Sequence, residues 1–251
     1  MKSKAIIIAF YSKDNLLSKD FIKMCEMLKK NHEIIISYNG SLLNKEKLGK
    51  DIIFLNYNDQ GYDLNCYMQG LYHVLINLKN ISKCLFLNNS IKIFNHIKFV
   101  NALSEIEHKL NSHDIVALTK SYEIKPHYQS YLFGINIKSL KSSLIEELKP
   151  FLKENNKLNR NSVIQTFELE TISLAEKHGL THTFIYKPTK TNYFLGYIKY
   201  IITFGFLDHP IPLKKLTPSL INPSTFLKGS LNSVYGFKKN KSTSLINKLT
   251  S

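Results

Sequence analysis

Short runs of β-branched apolar residues alternate with helix-spaced segments through the first 120 residues, and this alternation constrains the fold more than any other feature. The strand-like runs lie at 4–11, 33–38, 51–57, 82–90 and 113–120. The segments with helical spacing lie at 16–30, 58–78 and 99–110. Such alternation favours helices packed on both faces of a mostly parallel sheet. The sequence therefore predicts an α/β fold, in which ligands bind at the carboxyl ends of the strands.

The pattern changes after residue 120. A strand-like segment at 127–140 is expected to lead into a helix that continues to about residue 154. A second helix is expected over 162–179, with Gly179 after its last turn, and a late strand over 181–186. Residues 187–251 are basic, and we expect them to form short helices and loops packed on the same domain. The predicted organisation is thus one domain at 1–186 followed by a basic extension at 187–251.

The composition narrows the class of protein. The formal net charge is +15, which favours an anionic partner such as a phosphorylated ligand, a membrane face or a nucleic acid. Arg160 is the only arginine, however, and nucleic-acid readers usually depend on arginine. The three cysteines have no paired spacing, which favours a reducing cytoplasm. The apolar run near the N-terminus is short and rich in isoleucine, so it indicates a buried strand rather than a signal peptide.

Polar side chains follow three of the predicted strands. They are Tyr11, the segment 57–63, and the run Asn88, Asn89 and Ser90. Within the second segment, Gly61 allows an unusual backbone conformation or the close approach of a ligand. Asp63 either caps the following helix or accepts hydrogen bonds from the hydroxyl groups of a ribose or sugar. Periodicity alone leaves both roles open.

Five segments together resemble a known family. They read NDQGYDLNCYMQGL (58–71), CLFLNNSI (84–91), PHYQSYLFGIN (126–136), FELETISLAEKHG (167–179) and INPSTFLKGSLNSVYGFKK (221–239). In order and spacing they resemble the rhamnan synthesis F-like proteins, glycosyltransferases that build bacterial surface polysaccharides. The resemblance implies a glycosyltransferase-A-like fold, with a donor half at about 1–120 and an acceptor half at about 121–186. It also implies transfer of a hexose or deoxyhexose from a nucleotide-sugar donor to lipopolysaccharide O-antigen or capsule.

The resemblance assigns residues to the donor site. They are Tyr11, Asn58, Asp59, Gly61, Asp63, Asn88, Asn89 and Ser90. Where the family usually has Leu-Asn-Asp-Ser, Asn89 replaces the aspartate that would bind a divalent cation. Mg²⁺ or Mn²⁺ therefore stays open as a cofactor, and we expect weak or absent metal dependence. His127, His209 and Lys214 are candidates to neutralise the leaving diphosphate instead.

The acceptor half supplies the predicted catalytic chemistry. Gln129 lies in the segment that resembles the family's strand beside the acceptor cleft, and an amide can donate and accept hydrogen bonds to sugars. Inverting transfer needs a carboxylate that takes the proton of the acceptor hydroxyl. Glu170 matches the family's helical glutamate best and is the predicted base, with Glu168 as the second candidate. Because the two are two residues apart, they would point to different faces of a helix.

A binding protein without catalytic activity is the alternative to a transferase. A non-catalytic basic module that binds an anionic polymer or nucleic acid would explain the net charge directly, but not the carboxylates of the turn and helix. The transferase reading expects no nucleic-acid partner and a lipid-linked or free glycan acceptor. It places the protein in the cytoplasm, with the basic extension able to contact the anionic inner membrane face.

Overall fold

Ten strands and four α-helices have described bounds in this computed structural model, which describes residues 2–57, 62–121, 127–140, 169–186 and 200–207. The strands are β1 Lys4–Phe10, β2 Glu33–Asn39, β3 Ile52–Tyr57, β4 Lys83–Asn88, β5 Lys92–Ile93, β6 Ile115–Ser121, β7 His127–Tyr128, β8 Leu132–Asn136, β9 His182–Tyr186 and β10 Phe206–Leu207. The α-helices are α1 Lys19–Leu28, α2 Tyr62–Asn77, α3 His96–Lys109 and α4 Thr171–Lys177. Two 3₁₀ turns occupy Lys45–Leu48 and Ile137–Ser139.

The main sheet has eight strands in the order β3-β2-β1-β4-β8-β6-β7, and β9 pairs with β6. The pairs β2–β3, β1–β2, β1–β4 and β6–β9 are parallel. β8 runs antiparallel to β4 and to β6, and β7 runs antiparallel to β6. The predicted α/β class with a mostly parallel sheet is therefore confirmed, while no sequence pattern predicts the antiparallel insertion of β8.

The apolar runs become strands because both faces of the sheet are covered. Ile6, Ile7 and Ile8 in β1 are all fully buried, although successive side chains point to opposite faces. The same is true of Ile34 to Ile36 in β2. Helices supply the cover on both sides, so a continuous isoleucine run is stable as a central strand.

Helix α2 lies very close to β1. An added Cβ on Gly70 would meet Ile7 Cγ2 at 2.4 Å, so only glycine fits this contact without movement. Tyr67 packs edge-on against Phe86 and Phe133, with ring centroids at 5.5 and 5.7 Å. These contacts fix the start of α2 above the carboxyl ends of the strands.

Three predicted elements differ from the structure. Helix α1 is shorter than 16–30 because the Ser18 hydroxyl caps it, accepting a hydrogen bond from Phe21 N at 3.2 Å. The strand expected over 127–140 is two strands, β7 and β8, separated by a turn. The helix expected over 162–179 is not continuous, because 169–170 form a turn and the described helix starts at Thr171.

The described residues divide into two compact units. The segments 90–102 and 200–207 belong to the second unit, and the other described residues belong to the first. In the second unit, β5 and β10 pair antiparallel and the carbonyl of Gly205 accepts hydrogen bonds from Phe94 N and Asn95 N at 2.8 and 2.9 Å. Residues 200–204 are helical. The expected helices and loops of the basic extension therefore include a strand in the short part that is described.

Candidate active site

The candidate site lies where the strand order reverses. From β1 the chain adds β2 and β3 on one side and then returns to add β4 on the other side. Loops at the carboxyl ends of β1 and β4 therefore leave in opposite directions and open a crevice, which is where such sheets bind ligands. Tyr11 follows β1 at this crevice, Asn88 ends β4, and Asn89 follows it in a turn.

Asp63 and Asn88 meet at this point, although 25 positions separate them in the sequence. Asn88 Nδ2 donates a hydrogen bond to Asp63 Oδ2 at 2.9 Å. Asn88 is buried, with 6% of its surface exposed, and Asp63 is half-buried. Helix α2 begins at Tyr62, so Asp63 lies within the first helical turn rather than at the capping position. The capping alternative is therefore not supported, and the carboxylate is instead oriented by the amide of β4.

Asn89 and Tyr11 form a second contact across the same crevice. Tyr11 N donates to Asn89 Oδ1 at 3.0 Å, and Asn89 Nδ2 donates to the Tyr11 carbonyl oxygen at 2.6 Å. Tyr11 as a whole is 70% exposed. The backbone of Tyr11 is thus held by an amide, while most of the residue is exposed to solvent.

Cys66 lies near the Asp63 carboxylate, and Tyr57 lies near Cys66. Burial raises the pKa of Cys66 to about 12, with a further contribution from Asp63. Burial also raises the pKa of Tyr57, at the end of β3, to about 12. Both groups are therefore protonated at neutral pH and add no negative charge to the site.

A second polar cluster connects to the first along the carboxyl edge of the sheet. The Thr119 hydroxyl donates to Gln129 Oε1 at 2.7 Å and shares a hydrogen bond with the Tyr131 hydroxyl at 2.9 Å. The Tyr131 carbonyl oxygen accepts from Asn88 N at 3.4 Å. Thr119 uses one of the two acceptor positions of Gln129 Oε1 and thereby orients the amide, whose nitrogen can donate to a ligand and whose oxygen keeps a second acceptor position.

A small cavity of about 10 Å³ adjoins this second cluster, with room for about one water molecule. It is lined by Ile115, Tyr128, Gln129, Ser130, Phe133 and Thr171. Thr171 is the first residue of α4, and Glu170 directly precedes it at the capping position, where its carbonyl oxygen accepts from Leu174 N at 2.8 Å. The prediction that Glu170 lies inside a helix is wrong, because the first helical residue is Thr171. The role of Glu170 as the catalytic base does not depend on this and stays a prediction.

Of the remaining predicted site residues, two lie among the described residues, His127 and Ser90. His127 lies in β7 and is buried, with 8% of its surface exposed. Ser90 follows Asn89 in a turn and belongs to the second compact unit. The other candidates lie outside the described residues: Asn58, Asp59, Gly61, Glu168, His209 and Lys214.

Sequence reasoning missed a chain of polar contacts beside the cavity. The Tyr128 hydroxyl lies 2.6 Å from His182 Nδ1, and His182 Nε2 lies 3.6 Å from Glu176 Oε1. In the sequence, His182 stands out only for its spacing from His178, which does not suit a metal site. Its partner Tyr128 comes from a distant strand, so no local pattern identifies the pair.

The described residues do not fit a divalent metal. Both polar atoms of the Asn89 side chain are engaged by the Tyr11 backbone, and Asn88 Nδ2 donates to Asp63. Over the described ranges, no group of three or more His, Cys, Asp or Glu residues is placed to hold a metal ion. Hard cations prefer several oxygen ligands that include carboxylates, and this part of the site offers only Asp63.

Comparisons with known proteins give distant similarities. No family model matches the chain. The chain is 25% identical over 220 residues to the virulence protein VirA of Vibrio anguillarum, covering 86% of this chain and 68% of that protein. A candidate nucleotide-diphospho-sugar transferase from Desulfovibrio desulfuricans G20 is 12% identical, with a TM-score of 0.49 and 99% of each chain covered. A cytidylyltransferase from Leptospira borgpetersenii serovar Hardjo-bovis is also 12% identical, with a TM-score of 0.45 and 98% and 97% covered.

Identity and TM-score are both low in these structural matches, so the fold is assigned from the strand order and register. Within the described part of the chain, no helix combines the length and the apolar character needed to cross a bilayer.

Proposed function

We propose that this chain is a glycosyltransferase that moves a sugar from a nucleotide-sugar donor to a bacterial surface polysaccharide, either lipopolysaccharide O-antigen or capsule. The observation that carries the proposal is the Asp63–Asn88 hydrogen bond at the crevice where the strand order reverses. It presents an oriented carboxylate oxygen, which is the acceptor that sugar and ribose hydroxyl groups need. Tyr11, which is largely exposed at the end of β1, would offer an aromatic face to a nucleobase.

The acceptor half of the proposal rests on Gln129 and Glu170. The Gln129 amide is oriented by its hydrogen bond from Thr119, and its nitrogen can donate to a hydroxyl oxygen of the acceptor. Glu170 would take the proton from the attacking hydroxyl as that oxygen bonds to the anomeric carbon and the nucleoside diphosphate leaves. Such a displacement inverts the anomeric configuration. Glu168 remains the second candidate for this base.

Positive charge would assist the departure of the diphosphate. The chain carries a formal charge of +15, which draws an anionic donor toward it. His127, His209 and Lys214 are the proposed local contacts. Lysines of 187–251 near an anionic leaflet would each contribute about 1 kcal/mol to binding, which suits an enzyme whose acceptor is carried on a lipid.

A panel of nucleoside diphosphates and nucleotide sugars tests the proposal by thermal stabilisation, with each ligand measured at several concentrations. A ligand that binds the folded state raises the melting temperature to an extent that grows with its affinity. Stabilisation by at least one nucleoside diphosphate, and hydrolysis or transfer of the matching sugar, is the expected result. Stabilisation by oligonucleotides or polyanions alone would favour the second candidate function, a basic binding module, which the net charge supports.

A further inference from the structure

Two asparagine side chains hold the loop between β1 and α1 in the same manner. At its start, the Asn89 carboxamide accepts from Tyr11 N at 3.0 Å and donates to the Tyr11 carbonyl at 2.6 Å. At its end, the Asn44 carboxamide accepts from Leu17 N at 2.8 Å and donates to the Leu17 carbonyl at 3.1 Å. Each amide therefore pairs with both backbone groups of one residue, as a neighbouring strand would.

The Asn89 pair extends the contact between β1 and β4 beyond the ends of the strands. Asn89 N donates to the carbonyl of Ala9 at 3.0 Å, and the side chain of the same residue continues the pairing to Tyr11. The Tyr11 ring makes little contact of its own, since 70% of the residue is exposed. The backbone position of Tyr11 is therefore set largely by this one amide.

Only an amide, or a protonated acid, can make such a pair. A carboxylate accepts hydrogen bonds but cannot donate one. An ionised aspartate at position 89 would keep the bond from Tyr11 N and would bring its second oxygen against the Tyr11 carbonyl, which is also an acceptor. With asparagine at position 89, both polar atoms of the side chain bond to the Tyr11 backbone, and no carboxylate is offered to a divalent cation.

We propose that Asn89 is a positioning residue: it fixes Tyr11 at the donor crevice through the paired hydrogen bonds, and this role replaces that of a metal ligand. The role of Tyr11 toward a donor rests on the proposed transferase function. The paired hydrogen bonds themselves can be tested without any ligand.

The ligand-free test is amide hydrogen exchange of Tyr11, followed by NMR in the full chain. Asn89→Ala removes both hydrogen bonds, so the Tyr11 amide should exchange about 3- to 10-fold faster than in the wild type, as expected for the loss of one exposed hydrogen bond. Asn89→Asp should show faster exchange at pH 8. Unchanged exchange in both variants would overturn the proposal, whatever the function of the protein.

Lowering the pH should restore the paired hydrogen bonds in the Asn89→Asp variant. A substitution that simply disrupted the local structure would show no such recovery. A free aspartate has a pKa of about 4, and the Tyr11 carbonyl beside the Asn89→Asp side chain favours the protonated form, which can donate to it. Once protonated, this side chain can again accept and donate as asparagine does. The ratio of Tyr11 exchange rates between Asn89→Asp and the wild type should therefore fall toward one as the pH is lowered from 8 to 5. A ratio that stays constant or grows would contradict the paired hydrogen bonds.

The functional test is the affinity of the tightest nucleoside diphosphate from the panel, with and without Mn²⁺. Asn89→Asp should weaken binding about 3- to 10-fold at pH 8 in both conditions, with the deficit shrinking at pH 5. A gain of Mn²⁺-dependent affinity in this variant would show instead that position 89 is a metal-ligand position, and would overturn the proposal.

Asn44→Asp is the matched control. It breaks the same kind of pair at the buried end of the loop, where Leu17 is 4% exposed. It should speed exchange of the Leu17 amide and change the exchange of Tyr11 and the nucleotide affinity by less than about twofold, the lower limit for one hydrogen bond. Equal losses of affinity in both variants would overturn a specific role for Asn89. If no nucleoside diphosphate binds the wild type, the proposed function fails, and the exchange measurements still decide the role of Asn89.

Discussion

Replacing Asp63 by asparagine separates the two roles that this residue can have. The hydrogen bond from Asn88 Nδ2 now reaches a carboxylate oxygen at 2.9 Å, and the carbonyl oxygen of the new amide can accept it as well, so most of this contact survives. What is lost is the negative charge in the first turn of α2, worth about 0.3–1 kcal/mol of stability. A ligand hydroxyl that donates to the carboxylate would lose a charged hydrogen bond, worth about 1.5–3 kcal/mol.

The expected result is therefore a larger effect on binding than on folding. Nucleoside diphosphate affinity, measured by titration calorimetry, should fall about 10- to 150-fold. The free energy of unfolding, measured with urea, should fall by about 1 kcal/mol or less. The control is the exchanged pair, Asp63→Asn with Asn88→Asp, which restores a carboxylate–amide hydrogen bond with the two groups reversed.

Two outcomes would refute this reasoning. If Asp63→Asn binds nucleotide as the wild type does but unfolds more easily, the carboxylate serves only the structure. If the exchanged pair recovers full affinity, the ligand does not depend on a carboxylate at position 63. Recovery of stability without recovery of affinity is the result that supports a donor contact.

Four further predictions concern the base, the metal, the packing of α2 and acid stability. Glu170→Gln should lower kcat about 10²–10⁴-fold with donor affinity nearly unchanged, as measured by steady-state kinetics, and a loss below about threefold would contradict its role as base. Excess EDTA should leave nucleoside diphosphate binding intact. If EDTA abolished binding and Mn²⁺ restored it, the conclusion that the described residues do not fit a divalent metal would be contradicted. Gly70→Ala should lower the free energy of unfolding by about 1–3 kcal/mol, because its Cβ would lie 2.4 Å from Ile7 Cγ2; a stabilised variant would show that the contact gives way. Burial tends to raise the pKa of Glu107, but hydrogen bonds from His32 and Lys4 outweigh this effect, so the pKa is lowered. The ionised Glu107 carboxylate therefore stabilises the fold above about pH 4.3, and this contribution is lost as the pH falls further. Urea unfolding between pH 3 and 7 should show a weaker acid dependence in Glu107→Gln, and an identical dependence would be the contrary result.

The parallel half of the sheet could be predicted from the sequence because its strands are buried on both faces. A run such as Ile6 to Ile8 has no helical or alternating period, and a central parallel strand is the structure that accepts it. The antiparallel strand β8 could not be predicted in the same way. Its direction is set by antiparallel pairing with β4 and β6, and such pairing leaves no periodic signal in the sequence.

Part of the candidate site follows from the same reasoning. The carboxyl ends of neighbouring parallel strands share one edge of a sheet, so the sequence places Tyr11 and Asn89 close together, and the structure shows them in contact. The role of Asn44 cannot be predicted, because a buried asparagine in a short loop has no distinctive pattern around it. Its partner Leu17 lies in a different loop, and only the fold brings the two together.

The opposite ends of β1 and β4 have different chemistry, and this difference bears on how the site can be studied. At the amino end, Lys4 and Lys83 both contact Glu107, whose carboxylate is buried and ion-paired. At the carboxyl end, the contacts of Asn88 and Asn89 use neutral amides. Acid that protonates Glu107 therefore removes stabilisation at the end of the sheet far from the crevice, while the amide pairs keep their donors and acceptors. At pH values where the unfolding free energy is unchanged, changes in nucleotide affinity should therefore report the crevice itself, and urea unfolding at each pH identifies this interval.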